Sequence, residues 1–242
     1  MIRLNPLGHR ARRLVARFAR GEYLSLHLII GFLASVIALF LFGMITDDVV
    51  HNEPITAIDH ALAAWMRSHA TPLGDQIAIA ISFIGGASAM TPIAIIGAFV
   101  FAYRRAWIML SGWIAAFAGG GVLDWLLKQI IRRPRPAGAD LFIHDASFSF
   151  PSGHAMGSLI GFAMLAYALI TFWPPAHRHR SLVVVAAVIL VLLVGSSRIY
   201  LGVHYLSDVV AGFAAGIVWT TACVTGIEVA SGRKHPLIEI TE

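Results

Sequence analysis

The sequence predicts an all-α polytopic membrane protein, with six transmembrane helices in a bundle and an amphipathic interfacial helix in the first outer loop. Of its 242 residues, 58% are hydrophobic and 13% are charged, which is about half the charged fraction of a soluble domain. The mean hydropathy is +0.77, and apolar segments long enough to cross about 30 Å of hydrocarbon recur along the chain. A soluble core could not bury this much apolar surface, which argues against a soluble protein.

Six apolar segments follow one another, at Leu24–Ile45, Ile77–Tyr103, Ala106–Ile131, His154–Trp173, Leu182–Ser197 and Leu206–Val229. The second contains Gly85, Gly86 and Pro92, which predict a break or a kink. The fifth is the shortest and lies near the lower limit for a span. An arginine-rich leader precedes the first segment, but no small-residue cleavage site follows it, so we expect an uncleaved first span.

Basic residues are concentrated on one side of these predicted spans. That side holds Arg3, Arg10, Arg12, Arg13, Arg17, Arg20, Arg104, Arg105, Arg178, Arg180, Arg233 and Lys234. By the positive-inside rule it faces the cytoplasm, together with both termini. We therefore expect a basic leader over 1–23, a membrane domain over 24–229 and a cytoplasmic tail over 230–242. Membrane orientation also accounts for the net charge of +5, so no nucleic-acid partner is expected.

The first outer loop contains the stretch ITAIDHALAAWMRSHATP. Its apolar residues fall at helical spacing, at Ile55, Ile58, Leu62, Trp65 and Met66, whereas its charged residues occupy other faces. This pattern is typical of an amphipathic helix at the membrane interface. A helix packed over the end of the bundle explains it equally well.

Three polar stretches lie at the outer ends of spans, where the positive-inside rule disfavours basic residues. They are KQIIRRPRP at 128–136, PSGH at 151–154 and SRIYLGVHYLSD at 197–208. The chain between the second and the third is about long enough for two crossings, so the topology returns it to the same face. Local departures of this kind are expected at functional sites.

The first and third stretches supply three cations, Lys128, Arg135 and Arg198. Uncompensated cations beside lipid repel one another and are costly to desolvate. A multivalent anion removes that conflict, and the arginine fork matches a phosphate with two parallel hydrogen bonds. Pro134 and Pro136 should end the third span, so Arg135 is expected on irregular backbone.

The second stretch indicates the start of a helix. Ser152 is a good N-cap, and Gly153 allows backbone N–H groups to approach a ligand closely. A helix N-terminus binds anions through its free amides and its dipole. His154 would then lie beside a bound phosphate, where a protonated imidazole could donate its proton to a leaving oxygen.

The third stretch carries His204 and Asp208 at i, i+4 spacing, which places them on one face of a helix. Asp208 could accept a hydrogen bond from one ring nitrogen of His204 and leave the lone pair of the other aimed at phosphorus. That is the arrangement of a nucleophile with an orienting partner. We expect no metal ion and no cofactor, since three cations and a helix end could compensate the charge.

Together the three stretches resemble the signature of the phosphatidic acid phosphatase type 2 superfamily, K-x6-R-P, P-S-G-H and S-R-x5-H-x3-D. All three are met without a departure and in the same order, and the resemblance spans roughly residues 73–229. It implies a six-helix bundle that hydrolyses lipid phosphates without metal. With the orientation predicted from the basic residues, the site is expected at the outer face of a bacterial cytoplasmic membrane. By position, the resemblance implies phosphate binding by Lys128, Arg135, Ser152, Gly153 and Arg198. It also implies His154 as general acid, His204 as the nucleophile that forms a phosphohistidine, and Asp208 as its orienting residue.

Structural interpretations stand beside these roles. Lys128 could be an anchor that snorkels to the interface, and His204 with Asp208 could be a polar pair between helices. Arg132 and Arg133 lie outside the signature and could bind lipid headgroups or be solvated. For Asp124, four residues before Lys128, we expect a structural partnership with that lysine or with another residue of the bundle.

Three functions fit the pattern. The first is a phosphatase acting on a membrane lipid phosphate or diphosphate, such as an isoprenyl diphosphate, phosphatidylglycerol phosphate or phosphatidic acid. The second is a phosphotransferase that passes the same intermediate to a sugar or lipid hydroxyl. The third is a non-catalytic lipid-binding or transport protein, which the presence of both His154 and His204 disfavours.

Overall fold

The computed structural model describes residues 6–51, 54–137 and 147–232, with side chains from residue 29 onward. Within these ranges the chain forms α1 (Pro6–His51), α2 (Pro54–Ser68), α3 (Pro72–Gly85), α4 (Ala87–Tyr103), α5 (Trp107–Ile114), a π-helical turn (Ala115–Gly119), α6 (Gly120–Ile131), α7 (Gly153–Phe172), α8 (Pro174–Arg178), α9 (Arg180–Tyr200) and α10 (Leu206–Ser231). The predicted leader and tail residues 1–5 and 233–242 lie outside the described residues, as do 52–53 and 138–146.

Within the described residues, six helical segments are long and apolar enough to cross a membrane, as predicted. They are Ile29–His51, Pro72–Tyr103, Trp107–Ile131, Gly153–Phe172, Arg180–Tyr200 and Leu206–Ser231. The fifth is longer than its prediction, at 21 residues, which corresponds to about 31 Å of helix and is enough to span. The protein is therefore an integral membrane protein with an all-α fold.

The predicted break in the second span falls at Gly86, between α3 and α4. The backbone of Gly86 is extended, with φ −81° and ψ 168°. Pro92 lies inside α4 without ending it. On α3, a Cβ at Gly85 would come within 2.4 Å of Val194 on α9. The two glycines thus allow the broken span to lie close to its neighbours.

The third span changes helical type midway, at the π-helical turn Ala115–Gly119. The indole N–H of Trp219 on α10 donates to the carbonyls of Ala115 and Ala116, both at 3.2 Å. A Cβ at Gly119 would lie 2.4 Å from the same indole. Gly119 therefore allows close helix contact, and this contact satisfies carbonyl groups within the membrane.

Helix α7 is the centre of the bundle, and half of its apolar membrane-spanning stretch is buried. Met156, Ile160 and Met164 of α7 pack with Trp113 of α5 in the main core cluster. Around it, α1 packs mainly on α10, and α9 packs on both α3 and α7. Large apolar side chains on the outer faces are exposed, such as Phe40 on α1, as expected for contact with lipid. The burial of α7 fixes its N-terminus, which carries the PSGH stretch.

Helix α2 forms between the first two spans, as predicted, and a charged residue lies on its buried face. Ile58 and Trp65 are exposed, at 58% and 55%, whereas Asp59 is 1% exposed. The helix packs on α1, α9 and α10. A charged residue faces inward because it has a buried arginine partner, described below. Of the apolar stripe, Ile55 packs against the core of the bundle, whereas Ile58 and Trp65 point away from it.

Candidate active site

The three polar stretches meet at one end of the bundle. The backbone N–H of Ser152 donates to the carbonyl of Asp208 at 2.9 Å. The Lys128 ammonium donates to the carbonyl of Pro151 at 2.5 Å. Arg135 contacts His204. Each stretch therefore touches the others directly, and the alternating direction of the helices suffices to bring them together.

Lys128 lies in the last turns of α6 and is 8% exposed. Its ammonium pairs with Asp124 at 2.7 Å, as predicted for that aspartate. The burial and the bond to Pro151 exclude the interpretation of Lys128 as an anchor that snorkels to the interface. The lysine instead joins α6 to the loop that leads into α7.

Arg135 follows the end of α6 on irregular backbone, as predicted. Helix α6 ends at Ile131, and its C-cap Arg132 has a left-handed backbone, with φ 53°. The Arg135 guanidinium donates to the Ser147 carbonyl at 2.8 Å, to the Ser147 hydroxyl at 2.7 Å and to the Val203 carbonyl at 2.9 Å. These bonds hold the planar fork beside His204, with Nη1 lying 3.2 Å from Nε2 of the imidazole.

Ser152 and Gly153 begin α7 as the sequence indicates. Ser152 is the N-cap, and its hydroxyl lies 3.5 Å from the N–H of Ala155. A Cβ at Gly153 would come within 2.9 Å of the Asp124 carboxylate. Only glycine leaves that space, so the N-terminus of α7 lies directly against the Lys128–Asp124 pair. Its amides and the lysine thus face the same region.

His154 lies in the first turn of α7 and its ring reaches the break between α3 and α4. A Cβ at Gly86 would lie 3.0 Å from the Nε2 of His154. Gly86 therefore provides space for the imidazole, a role that the sequence analysis did not assign to it. The glycine pair predicted a break in the helix, but not the side chain that occupies it.

Arg198 lies near the end of α9 and is 6% exposed. One of its terminal nitrogens donates to the hydroxyl of Ser82 on α3 at 2.5 Å. Its Nε has no hydrogen-bond partner among the described residues. Ser82 could not be predicted from the sequence, since one serine in an apolar span carries no signal of its own. A buried donor without a partner is suited to an anionic ligand.

His204 lies in the turn between α9 and α10, so the predicted helical i, i+4 geometry is wrong. Asp208 is instead the third residue of α10, where its Oδ2 caps the N–H of Tyr205 at 2.9 Å. This capping box, rather than a shared helix face, brings the carboxylate to His204. The Nδ1 to Oδ2 distance is 3.5 Å, longer than an ordinary hydrogen bond. The contact is electrostatic at this distance.

The surroundings of His204 define its tautomer and its charge. Arginine can only donate, so the contact with Arg135 assigns the lone pair to Nε2 and the proton to Nδ1, towards Asp208. Burial lowers the pKa of His204 to about 4; Asp208 opposes this shift, whereas Arg135 and Arg198 add to it. The imidazole is therefore neutral at pH 7, with a lone pair facing the arginines.

Arg133 is not solvated, contrary to the interpretations that the sequence left open. It is 8% exposed and pairs with Asp208 at 2.6 Å and Asp59 at 2.8 Å. Burial alone would lower its pKa, but the two carboxylates outweigh burial and raise it. Arg132 is exposed and donates from Nε to the carbonyl of Gln129 at 2.8 Å. The contact of Asp59 with this site was not predicted, because Asp59 lies outside the three polar stretches.

The assembled site offers three cations and a helix N-terminus to one anion, with a neutral imidazole beside them. Such an arrangement can stabilise the charge of a phosphoryl group during transfer. Across residues 29–51, 54–137 and 147–232, no three His, Cys, Asp or Glu side chains cluster to form a candidate metal site.

The chain is similar to a known protein family and to several named proteins. The family model "PAP2 superfamily" matches residues 105–230. A Bacillus subtilis protein named phosphatidylglycerophosphatase B is 36% identical over 183 residues, which cover 75% of this chain and 89% of the relative. B. subtilis undecaprenyl-diphosphatase BcrC is 36% identical over 104 residues, covering 41% of this chain and 48% of the relative.

A solved structure resembles the fold. It is the crystal structure of a transmembrane PAP2-type phosphatidylglycerolphosphate phosphatase from B. subtilis, which has a TM-score of 0.72 and 32% sequence identity. The match covers 79% of this chain and 94% of the solved chain. The similarity therefore includes helices that precede the part of the chain matched by the family model.

Proposed function

The chain belongs to the PAP2 superfamily and is a membrane-bound lipid phosphatase, and we propose that it works through a phosphohistidine on His204 without a metal ion. The observation that carries this proposal is the 3.2 Å contact between the Arg135 guanidinium and the Nε2 of His204. A phosphate held by that guanidinium would lie next to the nitrogen lone pair. The lipid is thereby presented to a nucleophile that is already neutral.

In the first step the phosphate oxygens bind Lys128, Arg135, Arg198 and the N-terminus of α7, where Ser152 and Gly153 lie. Nε2 of His204 attacks phosphorus, a P–N bond forms and the P–O bond to the lipid breaks. His154 gives its proton to the leaving oxygen. The Nδ1–H of His204 points to Asp208, which stabilises the positive charge that develops on the ring.

In the second step a water molecule attacks phosphorus and the P–N bond breaks. His154, now neutral, takes a proton from that water, so it regains the proton it gave in the first step. Inorganic phosphate leaves and His204 returns to its neutral state. The three cations stabilise the phosphoryl group in both steps, which is the part that a metal ion plays in other phosphatases.

We propose phosphatidylglycerol phosphate as the first substrate to test, because the relative named phosphatidylglycerophosphatase B is matched over most of its length. Undecaprenyl diphosphate follows, since a second relative is named as its diphosphatase. Purified protein should release phosphate from a panel of both lipids and phosphatidic acid, with EDTA present. Activity lost with EDTA and restored by a divalent cation would contradict the metal-free mechanism. No phosphate release, together with transfer of the phosphoryl group to an added glycerol or sugar hydroxyl, would favour a phosphotransferase.

We also propose that the site faces the outside of the cytoplasmic membrane and that both termini face the cytoplasm. The opposite end of the bundle carries Arg104, Arg105, Arg178 and Arg180, which supports this orientation. A Ser68→Cys substitution in a Cys223→Ser background should react with a membrane-impermeant maleimide on intact cells. A His179→Cys substitution should react only after permeabilisation. The reverse pattern of labelling would invert the topology.

A further inference from the structure

A buried ion network lies on the Nδ1 side of the candidate nucleophile, where it meets His204 through Asp208. It consists of Asp59 on α2, Arg133 after α6, and Ser207 and Asp208 at the start of α10. Asp59, Ser207 and Asp208 are at most 1% exposed. None of the roles proposed above uses Asp59, Arg133 or Ser207.

Arg133 is the centre of this network. Its Nη1 donates to Oδ1 of Asp208 at 2.6 Å and to the hydroxyl of Ser207 at 2.7 Å. Its Nη2 donates to Asp59 at 2.8 Å. The guanidinium also lies over the ring of Tyr205, 4.2 Å from its centroid. Because both terminal nitrogens and one face of the Arg133 guanidinium are in contact with other groups, the guanidinium is held in one orientation.

Asp59 fixes the other side of the network. Its Oδ1 accepts from the backbone N–H of Ser207 at 3.0 Å, and its Oδ2 accepts from the Ser207 hydroxyl. A carboxylate from α2 therefore caps the first turn of α10 while it neutralises Arg133. Helix α2 is thus joined to the same turn that carries Asp208.

The two oxygens of Asp208 have separate partners as a result. Oδ1 is taken by Arg133, and Oδ2 faces both the N–H of Tyr205 and the Nδ1 of His204. Rotation of the carboxylate would break the bond to Arg133 or the cap. The network therefore determines which oxygen faces the imidazole.

We infer that Arg133 is a positioning residue of the phosphatase reaction, which holds Asp208 in the orientation that His204 requires, and that Asp59 acts through Arg133. This inference rests on the proposed role of His204 as nucleophile. The Arg133 charge also weakens the field that Asp208 exerts on the imidazole. It thereby helps to keep His204 neutral and ready to attack.

The electrostatic part of the inference depends on every group that faces His204. Asp208 comes from α10, Arg135 from the segment after α6, and Arg198 from α9; His154 comes from α7. Of these, Asp208 alone is acidic, and Arg133 is its direct partner. Arg67 and Asp75 pair with each other at 3.1 Å, and Arg67 lies beside Gly202, two residues from His204.

The test compares Arg133→Gln, Arg133→Lys and the matched control Arg132→Gln, using full-length protein in detergent and a short-chain phosphatidic acid. Arg133→Gln should lower kcat by about 10- to 100-fold, as loss of an outer hydrogen-bond partner does, with KM changed by less than about threefold. The acid limb of kcat/KM should move up by about one pH unit, because the imidazole now faces an uncompensated carboxylate. Arg133→Lys should restore part of kcat, and Arg132→Gln should match the unchanged protein.

Asp59 gives a second test that does not depend on the stability of one variant. Asp59→Asn alone should lower kcat, since it loosens Arg133. In the Arg133→Gln background it should raise kcat instead, because it removes a buried carboxylate left without its partner. Equal losses in both backgrounds would overturn the inference. If Arg133→Gln does not fold, the pH profile of Arg133→Lys tests the inference in its place.

The result for His204→Ala separates this inference from the proposed function. An inactive His204→Ala protein, together with an unchanged kcat and pH profile in the Arg133 variants, would overturn the inference alone. A lowered melting temperature without a kinetic change would have the same meaning, since it indicates a structural role only. Activity in His204→Ala would overturn the proposed mechanism and the inference with it.

Discussion

His204→Ala should abolish covalent phosphorylation and lower phosphate release by at least about 10⁴-fold, the range seen when a nucleophile is removed from a catalytic unit. Alanine supplies no lone pair to attack phosphorus, and the cations around it cannot replace one. The measurement is a short incubation with a ³²P-labelled lipid phosphate, stopped in alkali because the P–N bond is labile to acid. The unchanged protein should retain label on histidine, and the variant should retain none.

The matched control is His69→Ala. His69 lies just after α2 and is exposed. Its Nδ1 bonds locally, 2.8 Å from the Trp65 carbonyl and 2.9 Å from the Ser68 hydroxyl. It should retain full activity and labelling. Label that survives in His204→Ala, or turnover within tenfold of the unchanged protein, would contradict the role proposed for His204.

Much of the fold could be predicted because a bilayer constrains sequence strongly. Apolar segments had to become helices, and their alternating direction brings residues 128–136, 151–154 and 197–208 to one end. The glycine pair at 85–86 located the break in the second span to within a residue. These predictions required only composition, length and spacing.

The contacts that organise the site could not be predicted from the sequence and became visible only in the folded chain. Asp59 appeared as a polar residue beside an apolar stripe, so the sequence could not show that it pairs with Arg133, 74 residues away. Ser82 bonds to Arg198 across 116 residues. The pairing of His204 with Asp208 was predicted from spacing, but a capping turn produces it. Such contacts depend on how helices pack, which periodicity does not specify.

His154→Ala should discriminate between substrates according to how readily their leaving group departs. For a lipid phosphate, the leaving alkoxide is strongly basic and needs the proton of His154, so the first turnover should slow by about 10²- to 10⁴-fold. For p-nitrophenyl phosphate, the phenolate is stable without a proton, so its release should slow by less than about tenfold. The measurement is a rapid-mixing time course with each substrate.

The same variant should reveal the second role of His154. Without a base to activate water, the phosphohistidine formed from p-nitrophenyl phosphate should persist. Phenolate should therefore appear as a burst of about one equivalent per protein molecule, followed by slow turnover. Equal loss with both substrates would contradict the role as general acid, because it would mean that His154 contributes to phosphate binding alone. A burst with the aryl ester and no burst with the lipid would separate proton donation from binding, since both substrates present the same phosphoryl group to Arg135 and Arg198.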